Sequence, residues 1–494
     1  MTMLDSEIEE LKENRICARC IDDPFLSDLV DNNGEEDECS YCEEIEPSIS
    51  LKELATRVEA AFDSHYSRTS SEPNSMEYMM LKDKELDYEW DRDGEKTAWA
   101  IMNAAGIPEE AADDVQAILE DEHYDIEEAQ MGEEGKFSSE AHYEEIMPGD
   151  EEWQESWQEF EKTIKSEARF FSRTAAAQLS ALFDTIDEMR TIDGKLLVVN
   201  AGPETNYAFL YRARYFQSNE ALKPAMIRPD KELGAPPPHI AASGRMNAKG
   251  ISVFYGATSV ETTLAEIRPP VGCQVAVAKF DIIRPLKLLD LTALANVHEK
   301  GSIFDPEYAY RLGRMMFLSK LSNRITRPVM PDDQESEYLP TQAIADFLAT
   351  EGKVPLDGII YPSVQVNGDG LNIVLFQKAA RCKLLEFPDG TDLSADTYTM
   401  YAEGPEPEYT VYERVPEPTK SESSGDQDSD MFDISMIELA DLEIDDDDYG
   451  YDSREETLTV DPNSVQIHVV DAVKICTSDF KVTRHRWSKI EPDF

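Results

Sequence analysis

No run of about 18 apolar residues occurs anywhere in this 494-residue chain, so no membrane-spanning helix is expected. Basic residues are scarce: 46 Lys and Arg stand against 102 Asp and Glu, a formal net charge of −56. A surface of that sign repels a phosphate backbone, which excludes nucleic-acid binding through bulk charge. The opening residues Met1–Glu10 are acidic and lack the apolar core of a signal peptide. Together these absences predict a cytoplasmic protein with no membrane partner. Hydrophobic residues, at 41%, still suffice for a sizeable core, and the length suggests two to four domains.

Cysteine is also sparse, and its seven copies fall into two groups. Cys17, Cys20, Cys39 and Cys42 form one C-x2-C pair, an 18-residue spacer and a second C-x2-C pair. Two residues between thiolates let both reach one tetrahedral ion from a tight turn, and four thiolates leave no open coordination position. The pattern predicts structural zinc; the competing reading is two disulfides, which a reducing compartment disfavours. Cys273, Cys382 and Cys476 lie among apolar residues and are expected to be ordinary buried thiols.

The chain divides by composition. A zinc knuckle is expected over 1–48 and a helical region over 49–192. There Ser50-Leu-Lys-Glu53 has the form of a capping box, with Ile49 and Leu54 spaced for a hydrophobic staple. The following helix aligns Leu54, Val58, Ala61, Phe62 and His65. Residues 96–120 predict two helices broken at Gly106 and Pro108, and 121–152 an acidic loop. Trp153, Trp157, Phe160, Ile164, Phe171, Leu179, Leu182 and Ile186 then trace a long amphipathic helix or a helical pair.

From Lys195 onward β-type runs recur, at Ala208–Phe216, Ser252–Tyr255, Gln274–Ile283, Leu286–Leu291, Gly358–Tyr361 and Leu371–Phe376. Helical patterns interrupt them at Glu307–Ile325 and Thr341–Glu351. These predict a mixed core over 193–385. Residues 386–463 are rich in Pro, Ser, Glu and Asp, predicting a disordered acidic insertion that carries one apolar island, Met431–Leu439. Closing strands are expected at Gln466–Val470 and Ala472–Cys476, within 464–494. The fold class is α+β: a zinc knuckle and helical domain, then a β-rich domain.

Four polar residues sit on or beside these apolar runs. Arg212 and Arg214 are two apart in a strand and share a face; a guanidinium there suits two-point contact with pyrophosphate, although taken alone a surface salt bridge is the better explanation. Tyr255 ends a strand, and Glu266 follows eleven residues later on a helix capped by Thr258 or Ser259. Pairing with Arg268 is the plainer use of that glutamate. Ser363 follows Pro362 at the end of an apolar run, where a turn serine capping an amide is common.

In order and spacing these stretches resemble the RES domain family, named for an arginine, a glutamate and a serine. The resembling segments are Phe209–Arg214, Gly234–Pro236, Gly244–Asn247, Val253–Ala257, Ala265-Glu266 and Gly358–Ser363, with Tyr338–Gln342 and Gly370–Val374 fitting longer members. The resemblance covers about 195–385 plus a closing strand, and the N-terminal half resembles the HEPN-type helical region that precedes RES in longer bacterial proteins. It implies an ADP-ribosyltransferase-like fold that takes NAD as substrate and breaks the nicotinamide–ribose bond. It further implies a toxin held by an antitoxin or immunity protein. Carried over by position, the family arginine is Arg212, its tyrosine Tyr255, its glutamate Glu266 and its serine Ser363, with Arg245 a further phosphate contact. Ser363 would then bond the carboxamide or the ribose, and Tyr255 would lay its ring against nicotinamide. The alternatives are ADP-ribosyl transfer to a protein, a HEPN-type RNA-cleaving site at Arg57 and His65, or a non-catalytic interaction protein.

Overall fold

The computed structural model describes residues 5–83, 86–126, 131, 134–366, 370–416, 452–474 and 477–487. Contacts divide the chain into two compact units, one of residues 1–197 with 291–325 and one of 198–290 with 326–494. Both are mixtures of helix and strand.

In the first unit, helix Leu51–His65 begins where Ser50 Oγ accepts the Glu53 N–H at 3.3 Å. Only half of the capping box forms, because the Glu53 carboxylate turns to Arg57 at 2.8 Å. Leu51, Leu54, Ala55, Val58, Ala61, Phe62 and His65 are buried, the three-to-four spacing of one helix face. Helix Thr97–Ala105 ends at Gly106 in the left-handed region, φ 61°, and Pro108 stands at the N-cap of the next helix, Glu109–Glu122. The expected loop over 121–152 is not wholly irregular. His142–Glu145 forms the middle strand of a small sheet between Tyr66–Arg68 and Glu95–Lys96. Tyr143 and Phe137 pack on Phe62 at 5.2 and 5.7 Å between ring centroids; these two aromatics anchor a segment whose acidic composition concealed them. A helical pair follows, Glu151–Lys162 and Arg173–Phe183, separated by a π-helical turn over Thr163–Glu167.

Helix Tyr308–Thr326, which the sequence reading puts in the 193–385 core, belongs to this first unit as far as Ile325. Its Phe317 packs on Trp157 at 5.6 Å, and Lys320 pairs with Asp150 at 3.0 Å. Those partners lie more than 150 residues upstream, beyond the reach of periodicity in one segment.

The four-cysteine segment is continuous with the same core: Ile16, Leu26 and Val30 cluster with Leu54, Phe62, Ile101 and Ile118. Strands Arg15–Cys17, Ile45–Ser50 and Glu35–Glu38 form its sheet, and Asp23 caps helix Pro24–Asn33 through the Leu26 N–H. The four sulfurs all lie within 4.8 Å of one another, with Cys17 to Cys42 at 3.6 Å and Cys20 to Cys39 at 4.0 Å. A tetrahedron with Zn–S bonds of about 2.3 Å sets sulfurs about 3.8 Å apart, whereas a disulfide needs about 2.05 Å. The thiols are unbonded, and their arrangement fits one zinc ion.

The second unit is built on a nine-stranded sheet. Its strands are β1 (Val198–Ala201), β2 (Phe209–Phe216), β3 (Phe254–Ala257), β4 (Gln274–Ile282), β5 (Leu286–Asp290), β6 (Gly358–Pro362), β7 (Leu371–Leu375), β8 (Leu458–Val460) and β9 (Gln466–Val469). The order is β8-β4-β2-β3-β7-β6-β5-β1, with β9 also on β4. All neighbours are antiparallel except β5 and β6. Leu210, Phe254, Phe280, Leu288, Ile360 and Ile373 form its core.

Part of the expected acidic insertion is ordered. Asp392–Tyr401 and Gly404–Arg414 form a hairpin, closed at Gly404 with φ 128°. Tyr and Thr stand in both arms, a β-favouring content that the surrounding Glu, Asp and Pro mask. Within the same expected insertion Leu458–Val460 is strand β8 of the sheet, while residues 417–451, with the apolar island, lie outside the described residues. Gln466–Val469 is the closing strand foreseen; Ala472–Lys474 is not strand, and Cys476 lies outside the described residues. Cys273 is buried and Cys382 half-buried.

Metal analysis of the purified chain should find about one zinc per chain, and Cys39→Ser or a strong chelator should lower the unfolding midpoint by more than about 5 °C. Absence of bound zinc would contradict the metal assignment.

Candidate active site

Strand β2 stays paired with β4 along its length, from Phe209↔Asp281 to Phe216↔Gln274, and β3 stays paired with β7. Between β2 and β3 the ladder is a single pair, Tyr211↔Ala257. Where the two strands part lies a cavity of about 500 Å³, walled by Arg212, Arg245, Tyr255, Glu266, Tyr338 and Tyr361 among others. That size suits a cofactor-sized ligand.

Arg212 projects from β2. Its guanidinium lies 4.9 Å from the Phe254 ring centroid and donates to Tyr255 O at 3.5 Å. Among the described residues Arg212 forms no ion pair, unlike Arg214, whose guanidinium meets Glu232 at 3.0 Å. Burial pushes the Arg212 pKa down to about 10, opposed by Tyr255 and assisted by Arg214. It is still cationic at neutral pH, and a half-buried cation without a counter-charge is costly until an anion arrives. Arg245 packs over the Tyr338 ring at 5.0 Å and donates to Arg327 O at 3.0 Å, which fixes a second guanidinium in the wall.

Tyr255 is held by the turn Gly244–Asn247, which closes on itself through Gly244 N–H to Asn247 O at 3.0 Å. The Tyr255 hydroxyl donates to Asn247 Oδ1 at 2.8 Å and accepts the Met246 N–H at 3.1 Å. Gly244 permits this closeness: a Cβ there would sit 2.5 Å from Asn247 Oδ1 and 2.6 Å from the Tyr255 hydroxyl. Burial raises the Tyr255 pKa to about 12, so the phenol is neutral and its hydroxyl is committed to the turn. Its ring is what the cavity receives.

Glu266 ends helix Val260–Glu266, whose N-cap is Ser259 rather than Thr258, through the Thr262 N–H at 3.1 Å. No ion pair joins it to Arg268 among the described residues. Instead Glu266 Oε1 accepts from Ser363 Oγ at 2.6 Å and from Asn372 Nδ2 at 2.7 Å. Ser363 sits behind the carboxylate, 8% exposed, and outside the cavity lining. Its hydroxyl proton goes to the glutamate, not into the open cavity.

Arg212, Arg245, Tyr255 and Glu266 thus share one cavity, and Ser363 reaches it through Glu266. Two residues were missed by sequence reasoning. Asn372 interrupts the apolar strand Leu371–Leu375, a signal that a buried amide has a partner to serve. Tyr361, two residues before Ser363, has a hydroxyl with no partner among the described residues. Burial, with Tyr255 and Glu266 nearby, pushes its pKa upward, leaving a protonated donor in the wall. In the first unit, Arg57 and His65 do not assemble a site. His65 is 2% exposed and stacks on Tyr308 at 5.7 Å, and eight residues of helix set the two about 12 Å apart along its axis. Burial lowers the His65 pKa, keeping a core imidazole neutral.

Residues 210–396 match the family model of the RES domain, a span that contains each of the cavity residues named above. RES domains are known from NAD-degrading toxin systems. No curated protein and no solved structure matches the chain.

Gly244→Ala should destabilise the protein by about 1–3 kcal/mol through overpacking, and Tyr255→Phe by about 1–2 kcal/mol through loss of a buried hydroxyl's bonds, both read by denaturant unfolding. The Tyr255 pKa rises from 10.0 to about 12 on folding, so its contribution is full below pH 10 and is lost as pH rises through 12. Tyr255→Phe should therefore lessen the fall in stability between those pH values; an unchanged alkaline slope would contradict a buried phenol.

Proposed function

The chain carries a RES domain, and from that premise we propose that it cleaves NAD at the bond between nicotinamide and ribose. The observation that carries this reading is the pairing, in one cavity, of a half-buried arginine without a carboxylate and a glutamate held in place by two donors. The first is a receptor for a pyrophosphate. The second supplies negative charge where the reaction develops positive charge.

NAD would bind with its pyrophosphate on Arg212, and Arg245 would extend that contact. The aromatic rings of Tyr255 and Tyr361 offer faces to the cationic nicotinamide ring. As the bond from the ribose C1 to the ring nitrogen lengthens, its electron pair goes to nitrogen, which neutralises the ring and leaves an oxocarbenium-like sugar. A carboxylate fixed beside that carbon stabilises the transition state more than the ground state, which is the requirement for acceleration. Glu266 is the candidate. A nucleophile then bonds to C1 and loses its proton; water, phosphate or a protein side chain each fits that step. Arg212, Arg245, Tyr255 and Glu266 are therefore assigned to substrate, and the zinc to the stability of the first unit.

The family's setting in toxin systems supports a cellular role in which NAD loss is harmful and a partner, an antitoxin or immunity protein, restrains the activity. The reading of a non-catalytic interaction protein is disfavoured because the charged groups retain a common cavity.

Purified protein should release nicotinamide from NAD, and Glu266→Gln should lower turnover by about 100-fold or more while leaving the fold intact by circular dichroism. Wild-type turnover in that variant would remove the carboxylate from the mechanism. Arg212→Ala should weaken NAD binding by about 10- to 100-fold in calorimetry. Because the bound anion requires the protonated guanidinium, affinity should hold from pH 7 to 9 and fall as pH rises past about 10; an affinity that fell between pH 7 and 8 would point to another group.

A further inference from the structure

We propose that Ser363 and Asn372 form a two-donor clamp on one oxygen of Glu266, and that both act on the reaction through that glutamate rather than on the substrate. The proposal deepens the NAD-cleaving reading and rests on it for its kinetic consequences.

The two bonds converge on the same atom. Ser363 Oγ donates to Oε1 at 2.6 Å and Asn372 Nδ2 donates to Oε1 at 2.7 Å. A carboxylate oxygen has two lone-pair sites, so Oε1 is full. Oε2 takes no hydrogen bond from any described residue, which makes it the oxygen left for the substrate. The clamp therefore selects which half of the carboxylate faces C1.

Each donor is itself fixed. Ser363 N–H donates to Gly370 O at 2.8 Å, and Ser363 Oγ accepts the Gln365 N–H at 3.2 Å. Those two bonds orient the hydroxyl proton toward Glu266. Asn372 is 4% exposed and is the second residue of β7, opposite Ala257 on one side and Tyr361 on the other. An amide among Leu371, Ile373 and Val374 costs stability unless it is bonded, and its recorded partner is the glutamate.

The position of Glu266 explains why holding is needed. It is the last residue of its helix, where the backbone dipole presents its negative end and opposes a carboxylate. A long side chain at a helix end also has several rotamers open to it. Two donors from two different strand ends offset the unfavourable field and leave one rotamer, so the charge needs little rearrangement when the sugar becomes cationic. This differs from a serine that grips the carboxamide or ribose, because the Ser363 proton is already committed.

The test compares Ser363→Ala, Asn372→Ala and Ser363→Thr with the wild-type full chain. Both alanine variants should lower kcat for nicotinamide release by about 10- to 100-fold, with the calorimetric Kd for NAD within about threefold of wild type, and Ser363→Thr, which keeps the hydroxyl, should recover most of the turnover. Crystals provide an arm that does not depend on activity: Glu266 should hold one carboxylate position in wild type and more than one in Ser363→Ala. If Asn372→Ala does not fold, Ser363→Ala and Ser363→Thr decide the question alone. Loss of NAD affinity in step with turnover in Ser363→Ala would overturn the proposal, since the hydroxyl would then bind substrate. Wild-type kcat in the alanine variants, or a single Glu266 position in Ser363→Ala, would overturn it too. A wild-type protein that releases no nicotinamide would sink the NAD reading itself, and the crystallographic arm would then judge the clamp.

Discussion

A half-buried cation given no carboxylate is the constraint around which the second unit is arranged. Arg212 occupies the place where β2 and β3 separate after the single pair Tyr211↔Ala257. Its nearest support is the Phe254 ring and one carbonyl. Elsewhere in this chain acids outnumber bases by more than two to one, so a guanidinium that finds no acid is kept from one by the fold. The strands that flank it remain fully paired on their other sides, and this keeps the gap open without a loose sheet.

Opposite the cation, the carboxylate of Glu266 is treated in the reverse way. One of its oxygens is held by two donors instead of being left without them. The two groups therefore stay apart as separate charges in one cavity and do not cancel as an ion pair. A ligand that carries an anionic centre and a centre that becomes cationic can satisfy both. With a net charge of −56, the long-range field does nothing to gather such an anion, so binding has to come from contact with Arg212 and Arg245 at short range.

Much of this was legible beforehand. The apolar runs marked seven of the nine sheet strands to within a few residues, because alternating or continuous apolar segments bounded by Gly and Pro are local signals. The four-cysteine cluster was equally plain, since two C-x2-C pairs can bring four sulfurs within reach of one ion. Arg212, Tyr255, Glu266 and Arg245 could be named from the resemblance, and they meet in one cavity. What could not be read was the direction of side chains across distant strands. Ser363 faces the glutamate rather than the open cavity, and Asn372, which the sequence reading gave no role, joins it from β7. The hairpin Asp392–Arg414 was hidden by acidic composition, and the strand His142–Glu145 by the same bias. Helix Tyr308–Thr326 looked like part of the β-rich core because it lies between core strands in sequence, whereas its packing partner Trp157 is far upstream.

The central claim is that one cavity seats NAD with its pyrophosphate on the unpaired guanidinium and its reacting sugar carbon beside the held carboxylate. A crystal structure of the Glu266→Gln protein soaked with NAD tests it most directly. The account predicts pyrophosphate oxygens within hydrogen-bond distance of Arg212 and the ribose C1 next to residue 266. Density for NAD elsewhere on the second unit, with the cavity between β2 and β3 empty, would contradict it.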